Sequence, residues 1–221
     1  LANLRSALSS KLMLVSKAKL GEDPLVSQLM KGVYRSRPTK TGKYREFYDI
    51  QIIKDQLLSL PDGRNSSFRE IQSNLIVLFY ISGLRAGDMA RISEFSLDDA
   101  NHSVSIITQT KELVRGEKAN IVIRGDSSSP KLCPHCLIKL IRTSWPHKLM
   151  RRTPLIYNRA GVEHGLSAVS IRNIAKAFLT RAGVPEGFSA HSLRGAAATA
   201  AINQGIPEVA IRRNFRWTAN S

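Results

Sequence analysis

Cysteine is almost missing from this chain: Cys133 and Cys136 are its only two. That excludes a disulfide-held scaffold and favours a reducing compartment. Acids are scarce as well, 17 against 33 lysines and arginines, so the 221 residues carry a formal charge of +16. An excess of that size points to a polyanionic partner, nucleic acid first, with a merely cationic scaffold protein as the plainer alternative. No apolar run has the length of a membrane span. The longest, 75–84, is interrupted by Ser82 and Gly83 and reads as a buried helix, so no membrane is expected as a partner. The first residues lack the order of a signal peptide, and a start at Leu1 reads as a fragment or a processed piece. Walker A, HExxH and G-x-S-x-G patterns are all absent, as are internal repeats and low-complexity tracts, which sets aside the commonest phosphate-loop, zinc-hydrolase and serine-hydrolase sites. What is present is 43% apolar residues, enough to bury a core and to make disorder a poor reading.

Periodicity places the elements. Leu4, Leu8, Leu12 and Val15 recur at helical spacing, and a second helix is expected from Asp23 or Pro24 to about Tyr34, with a cap and then a first-turn proline. Residues 31–45 hold Lys31, Arg35, Arg37, Lys40, Lys43 and Arg45 with no acid, plus Pro38 and Gly42. This reads as an extended basic linker. A solvated loop is the ordinary alternative, but the missing counter-charge favours contact with phosphate. Helices are expected over 49–60, stopped by Pro61-Asp62-Gly63, and from Ser67, where Ser67-Phe68-Arg69-Glu70 forms a capping box. The buried stripe of that helix is Phe68, Ile71, Leu75, Leu78 and Phe79, and Gly83 ends it. A short helix at 87–93 precedes strands at 95–97, 104–108 and 119–124, with a turn at 98–101. Further helices fall at 134–144, 167–182, 192–204 and 207–214, with Gly183 and Gly205 at left-handed caps. The fold class is therefore α+β, mostly helical, with one small antiparallel sheet.

Three places carry chemistry. In Gly83-Leu84-Arg85-Ala86-Gly87-Asp88 an arginine stands at a helix junction, where Asp88 can fix it by a charge-assisted hydrogen bond. Arg–Asp pairs at helix ends are commonly structural only. Lys111 lies where the hairpin of strands 104–108 and 119–124 turns. A tip lysine is usually solvated, but on a DNA surface a long ammonium can reach a groove and give up a proton. Arg115 and Lys118 compete with it on the same loop. In His191-Ser192-Leu193-Arg194 a proton shuttle and a planar fork for phosphate oxygens share one face of a helix at i and i+3. The rest of that helix is rich in alanine, which allows close packing. A lone HxxR is more often structural. Arg212, Arg213 and Arg216 form a second basic cluster expected to neutralise phosphates. Cys133-Pro134-His135-Cys136 invites a zinc reading. A tetrahedral site needs four ligands, though, and the sequence offers only His135 inside the pair and His147 beyond it. The expectation is no metal and a packing role at a helix start. Trp145 and Phe178 are expected in the core.

Arg85, a hairpin Lys111, His191-x-x-Arg194 and Trp217 together form an ordered set that resembles the tyrosine recombinase and integrase family. GLRAGDMARI resembles that family's first arginine box, with an acid at the place of Asp88. AHSLRGAAATAAINQGIPEVAIRRNFRW resembles its second, in which Trp217 follows His191 by 26 residues. The likeness covers residues from about 50 to 221. RSALSS at 5–10, DPLVSQLMKGVYRSRP at 23–38 and KLCP at 131–134 look more narrowly like recombinases of DIRS-type retroelements. The resemblance implies the end of a helical core-binding domain over 1–35, a basic linker over 36–48 and a catalytic domain over 49–221. It also implies a site-specific recombinase or integrase serving a mobile element, which cuts and rejoins DNA through a 3′-phosphotyrosine. Arg85 and Arg194 would clamp the phosphate oxygens, Trp217 would donate its indole N–H, His191 would assist proton transfer and Lys111 would protonate the leaving oxygen. No cofactor would be needed. The partners would be double-stranded DNA and further copies of the chain, as a dimer or tetramer on DNA. The location would be nuclear for a eukaryotic retroelement product and cytoplasmic otherwise.

Two departures stand out. The family's nucleophilic tyrosine is expected about ten residues past the Trp217 position, roughly three helical turns, and none of Tyr34, Tyr44, Tyr48, Tyr80 and Tyr157 fits. The chain as given is therefore expected to be inactive. Gly195 also stands where a bulkier residue is usual. A type IB topoisomerase shares the residue set, and a domesticated DNA-binding protein that kept the fold but not the cleavage is the alternative from another class.

Overall fold

The computed structural model describes Gln28 and residues 48–61, 66–110, 117–126, 128–144 and 165–217. The chain divides into two compact units, Leu1–Arg45 and Glu46–Ser221, and everything below concerns the second. The helix expected over 3–18, that expected over 23–34 apart from helical Gln28, the basic residues Arg35, Arg37, Lys40, Lys43 and Arg45, and Lys111, Arg115, Trp145 and His147 lie outside the described residues.

Seven α-helices and three strands have their bounds among the described residues. They run α1 (Ile50–Leu58), α2 (Phe68–Ile81), α3 (Ala86–Ala90), β1 (Ile92–Asp98), β2 (Ser103–Thr108), β3 (Ala119–Arg124), α4 (Pro134–Ser144), α5 (Ala168–Arg181), α6 (Ser192–Asn203) and α7 (Glu208–Phe215). Asp49 caps α1 by accepting the Gln51 N–H at 2.9 Å. The box at Ser67 forms as its spacing predicts: Glu70 accepts the Ser67 N–H at 2.7 Å while the Ser67 hydroxyl accepts the Glu70 N–H at 3.3 Å. These bonds satisfy donors that a helix start leaves open. From Ile71 to Tyr80 every residue of α2 is buried, so this is the helix around which α4, α5 and α6 pack. Its polar members are accounted for where they meet neighbours: Asn74 donates to the Leu57 carbonyl at 3.2 Å, and Arg181 reaches the Ser73 hydroxyl at 3.2 Å. Phe178 is in the core as expected. Among the described residues no helix is long and apolar enough to cross a membrane.

The sheet is antiparallel in the order β1-β2-β3. Val104 pairs with Leu97 and Ile123, and Ile106 with Phe95 and Ile121. This register puts one apolar face, centred on fully buried Val104 and Ile106, against the helical core. Strand β1 starts three residues earlier than its pattern suggests, and α3 is correspondingly short. The cause is a register shift between Ile92 and Glu94. A bulge of this kind puts the apolar residues before and after it out of phase, so the period-2 signal begins only at Phe95. A second, smaller apolar cluster joins α6 to α7 through Ala198, Ile211 and Phe215, with Ala197, Ala201 and Trp217 against it. The alanines of α6 let α7 approach closely.

Candidate active site

The site grows from the end of α2. Gly83, at φ +95, turns the chain back while its N–H bonds to Tyr80 O at 3.0 Å and the Leu84 N–H to Phe79 O at 2.9 Å. Buried Leu84 anchors the turn, and Arg85 emerges as the cap residue of α3. Asp88, fully buried, accepts the Arg85 main-chain N–H on Oδ2 at 3.0 Å. The same oxygen accepts the Arg216 guanidinium at 2.8 Å, and Arg91 lies 3.6 Å from Oδ1. The Asp88 carbonyl accepts the Thr108 hydroxyl at 2.6 Å, which ties β2 to this junction. Asp88 thus holds Arg85 through its backbone, and its hydrogen-bonded ion pair is with Arg216.

Arg216, expected to contact phosphate, meets protein partners in this structure. Its side chain is 19% exposed and turned inward, donating to Asp88 and, at 3.2 Å, to the Gly83 carbonyl. The residue sits in the left-handed region at φ 51, closing α7. Arg212 pairs with Glu208 at 2.8 Å. Arg213 is exposed and borders a groove between β3 and the end of α7.

The second half of the site comes from α6. His191 caps the helix and Arg194 follows one turn later, as the spacing predicts. Arg194 is fully buried. Its guanidinium donates to the Phe215 carbonyl and lies 5.7 Å from the Phe215 ring centre and 6.0 Å from that of Trp217. Arg85 donates to the next carbonyl, that of Arg216, at 3.4 Å. The two arginines therefore meet at one turn, Phe215-Arg216-Trp217. His191 feels both: burial first, then the charges of Arg194 and Arg85, hold its pKa below the ordinary 6.5. Four of the five expected catalytic residues, Arg85, His191, Arg194 and Trp217, are brought together. A cleft of about 400 Å³ lined by Arg85, Gly87, Asp88, Arg91, Gln109 and Thr110 leads from this cluster to the residue before Lys111. Arg91, which donates to the Gln109 carbonyl at 2.8 Å, was not singled out from sequence. Tyr48 and Tyr80 are enclosed, and burial raises both phenols, that of Tyr80 to about 12.

The cysteine pair, for which the sequence offers only His135 and His147 as further ligands, has another histidine beside it. His102, in the turn before β2, joins Cys133, His135 and Cys136, and the four donor atoms lie within 4.8 Å of one another.

The mostly helical body with its three-stranded antiparallel sheet has the fold of tyrosine recombinase catalytic domains, as solved structures show. No family model matches the sequence, and no curated protein matches it. Solved structures do match in fold. The chain is similar to the integrase from mycobacterium phage Brujita, at TM-score 0.53 and 17% identity, over 96% of this chain and 61% of that one. It is similar to the XerH site-specific recombinase bound to palindromic difH substrate in a post-cleavage complex, at TM-score 0.61 and 10% identity, over 97% and 66%. The Tn1549 transposon integrase in complex with transposon right end DNA matches at TM-score 0.51 and 11% identity, over 97% and 70%. The chain thus spans about two thirds of the length of these structures.

Proposed function

We propose that this chain is the catalytic region of a site-specific DNA recombinase or integrase that breaks and rejoins strands through a 3′-phosphotyrosine, in the service of a mobile element of DIRS type. One observation carries the reading: Arg85 and Arg194, distant in sequence, anchor on adjacent carbonyls of a single turn. Two forked cations at one place, largely out of water, suit a phosphorane that gathers negative charge. Neutral His191 suits proton acceptance, Trp217 would supply an indole N–H beside Arg194, and Lys111, which follows β2 in sequence, would protonate the leaving 5′-oxygen. Asp88 and Arg216 are positioning residues in this scheme. Cleavage energy is kept in the phosphotyrosine, so rejoining requires no nucleotide.

The partner is double-stranded DNA, engaged by Arg213, Arg212 and the basic residues Arg35, Arg37, Lys40, Lys43 and Arg45. Of these, Arg35 ends a core-binding domain (1–35), and Arg37, Lys40, Lys43 and Arg45 lie in a linker (36–48) before the catalytic domain (49–221). The chain works as a dimer or tetramer on DNA, in the nucleus for a eukaryotic retroelement product and in the cytoplasm otherwise. The test uses a chain that carries the tyrosine called for past Trp217, with a nicked substrate that traps the covalent adduct. Arg194→Ala is expected to abolish the adduct while duplex affinity stays within a few-fold, because Arg194 acts on charge that develops in the transition state. Tenfold weaker binding with normal cleavage of the bound DNA would make Arg194 a docking residue. Absence of any adduct with the tyrosine in place would leave a DNA-binding module.

A further inference from the structure

A second constellation lies away from the arginines, at the other end of the hairpin. Cys133 is fully buried where a short 3-10 turn, Pro130–Leu132, hands over to α4. Cys136 is one turn into α4, and its N–H donates to Cys133 Sγ at 3.3 Å. A main-chain N–H aimed at sulfur stabilises a thiolate more than a thiol. Gly125, just past β3, makes room for that sulfur: a Cβ there would come within 2.3 Å of Cys133 Sγ. His135, between the cysteines, is 2% exposed. His102 reaches the same place from the β1–β2 turn, held at φ 45 while its carbonyl accepts the Gly125 N–H at 2.9 Å. A non-glycine residue at positive φ is a mark of a position fixed by its surroundings.

Two further observations point to a ligand. The Nδ1 of His102 and both ring nitrogens of His135 are buried without a hydrogen-bond partner among the described residues, a costly state for polar groups if nothing occupies the space. The Nε2 of His135 lies 2.9 Å from Asp99 Oδ1, which also accepts from Lys139 at 2.9 Å. A carboxylate behind one ring nitrogen is the arrangement that orients a metal-bound histidine and fixes its tautomer.

We propose that His102, Cys133, His135 and Cys136 bind one zinc ion in a closed, structural Cys2His2 site. Two thiolates and two imidazoles are the donor set that suits zinc. Metal–ligand lengths of about 2.0–2.3 Å imply donor separations of roughly 3.3–3.8 Å. The present separations, all under 4.8 Å, close to that range by side-chain rotation. On binding, two thiols release their protons to solvent, no electron moves, and two thiolates cancel the charge of the ion. The metal ties the β1–β2 turn to the start of α4, and so fixes the base of the β2–β3 hairpin. The site stands whatever reaction the arginine cluster performs.

The test begins with the 221-residue chain purified under reducing conditions. Elemental analysis is expected to find one zinc per chain, and cobalt exchanged for it should show sulfur-to-metal charge transfer with the intense visible bands of a tetrahedral ion. His102→Ala should lose that tetrahedral spectrum, and Asp99→Asn should keep it with affinity lowered about 10–100-fold. Because cysteine variants can fail to fold, chelation of the wild-type chain supplies a second reading, and its melting temperature should fall. A folded chain that takes up no zinc from zinc-containing buffer overturns the proposal. So does a cobalt spectrum indifferent to His102→Ala, or a Cys133–Cys136 disulfide that persists under reductant.

Discussion

His191 shows what a single residue inherits from its neighbours. The residue is exposed, yet desolvation of its imidazole and then the charges of Arg194 and Arg85 hold its folded pKa below 6.5. The unfolded chain, titrating near about 6.5, then binds more protons between the two values. The stability His191 contributes is therefore complete above the unfolded value and is lost as pH falls through the folded one. A nuclear magnetic resonance titration should place its midpoint below 6.5 and show it rise in Arg194→Gln, while His191→Gln should flatten the stability slope in that interval. A midpoint at or above the ordinary value would remove both arginines from its surroundings. The His191–Arg194 pair was legible because i and i+3 share a helix face whatever the tertiary fold. The Asp88–Arg216 pair was not, since a contact across 128 positions leaves no local trace. Arg216 in sequence is one more cation in a basic run. His102 was missed for the same reason: only strand pairing carries it to the cysteines.

Among the elements, α2 was readable in full, because a capping box, an apolar stripe and a terminal glycine agree with one another. Strand β1 was readable only past its bulge. Gly83 links these local signals to the site. A methyl there would stand 3.0 Å from Asn214 O and 3.2 Å from the Phe215 Cα, at a φ of +95 that a side chain resists. Gly83→Ala should cost about 1–3 kcal/mol and push the end of α7 off the α2–α3 junction. Urea unfolding measures the first effect. Trp217 fluorescence in a Trp145→Phe background measures the second, and an unchanged spectrum with full stability would mean that the junction tolerates the shift.

For the whole molecule the governing quantity is the +16 charge. Duplex affinity plotted against salt, both as logarithms, should slope at about −0.9 for each phosphate neutralised. Arg213→Gln should reduce the slope by about one unit. Arg216→Gln should leave the slope unchanged and lower stability instead, because that cation is already paired with Asp88. A flat plot would remove the electrostatic account of binding. The Asp88–Arg216 pair also imposes an order in time. On the ribosome Asp88 is made 128 residues before its counter-ion, and a carboxylate buried alone is costly. Arg85 likewise awaits the carbonyl of Arg216. A nascent or clipped chain can complete its central helix and sheet and still lack the arginine cluster. The meeting of Arg85 with Arg194 is thereby withheld until the chain has closed upon itself, and the closing step is a proofreading of the fold.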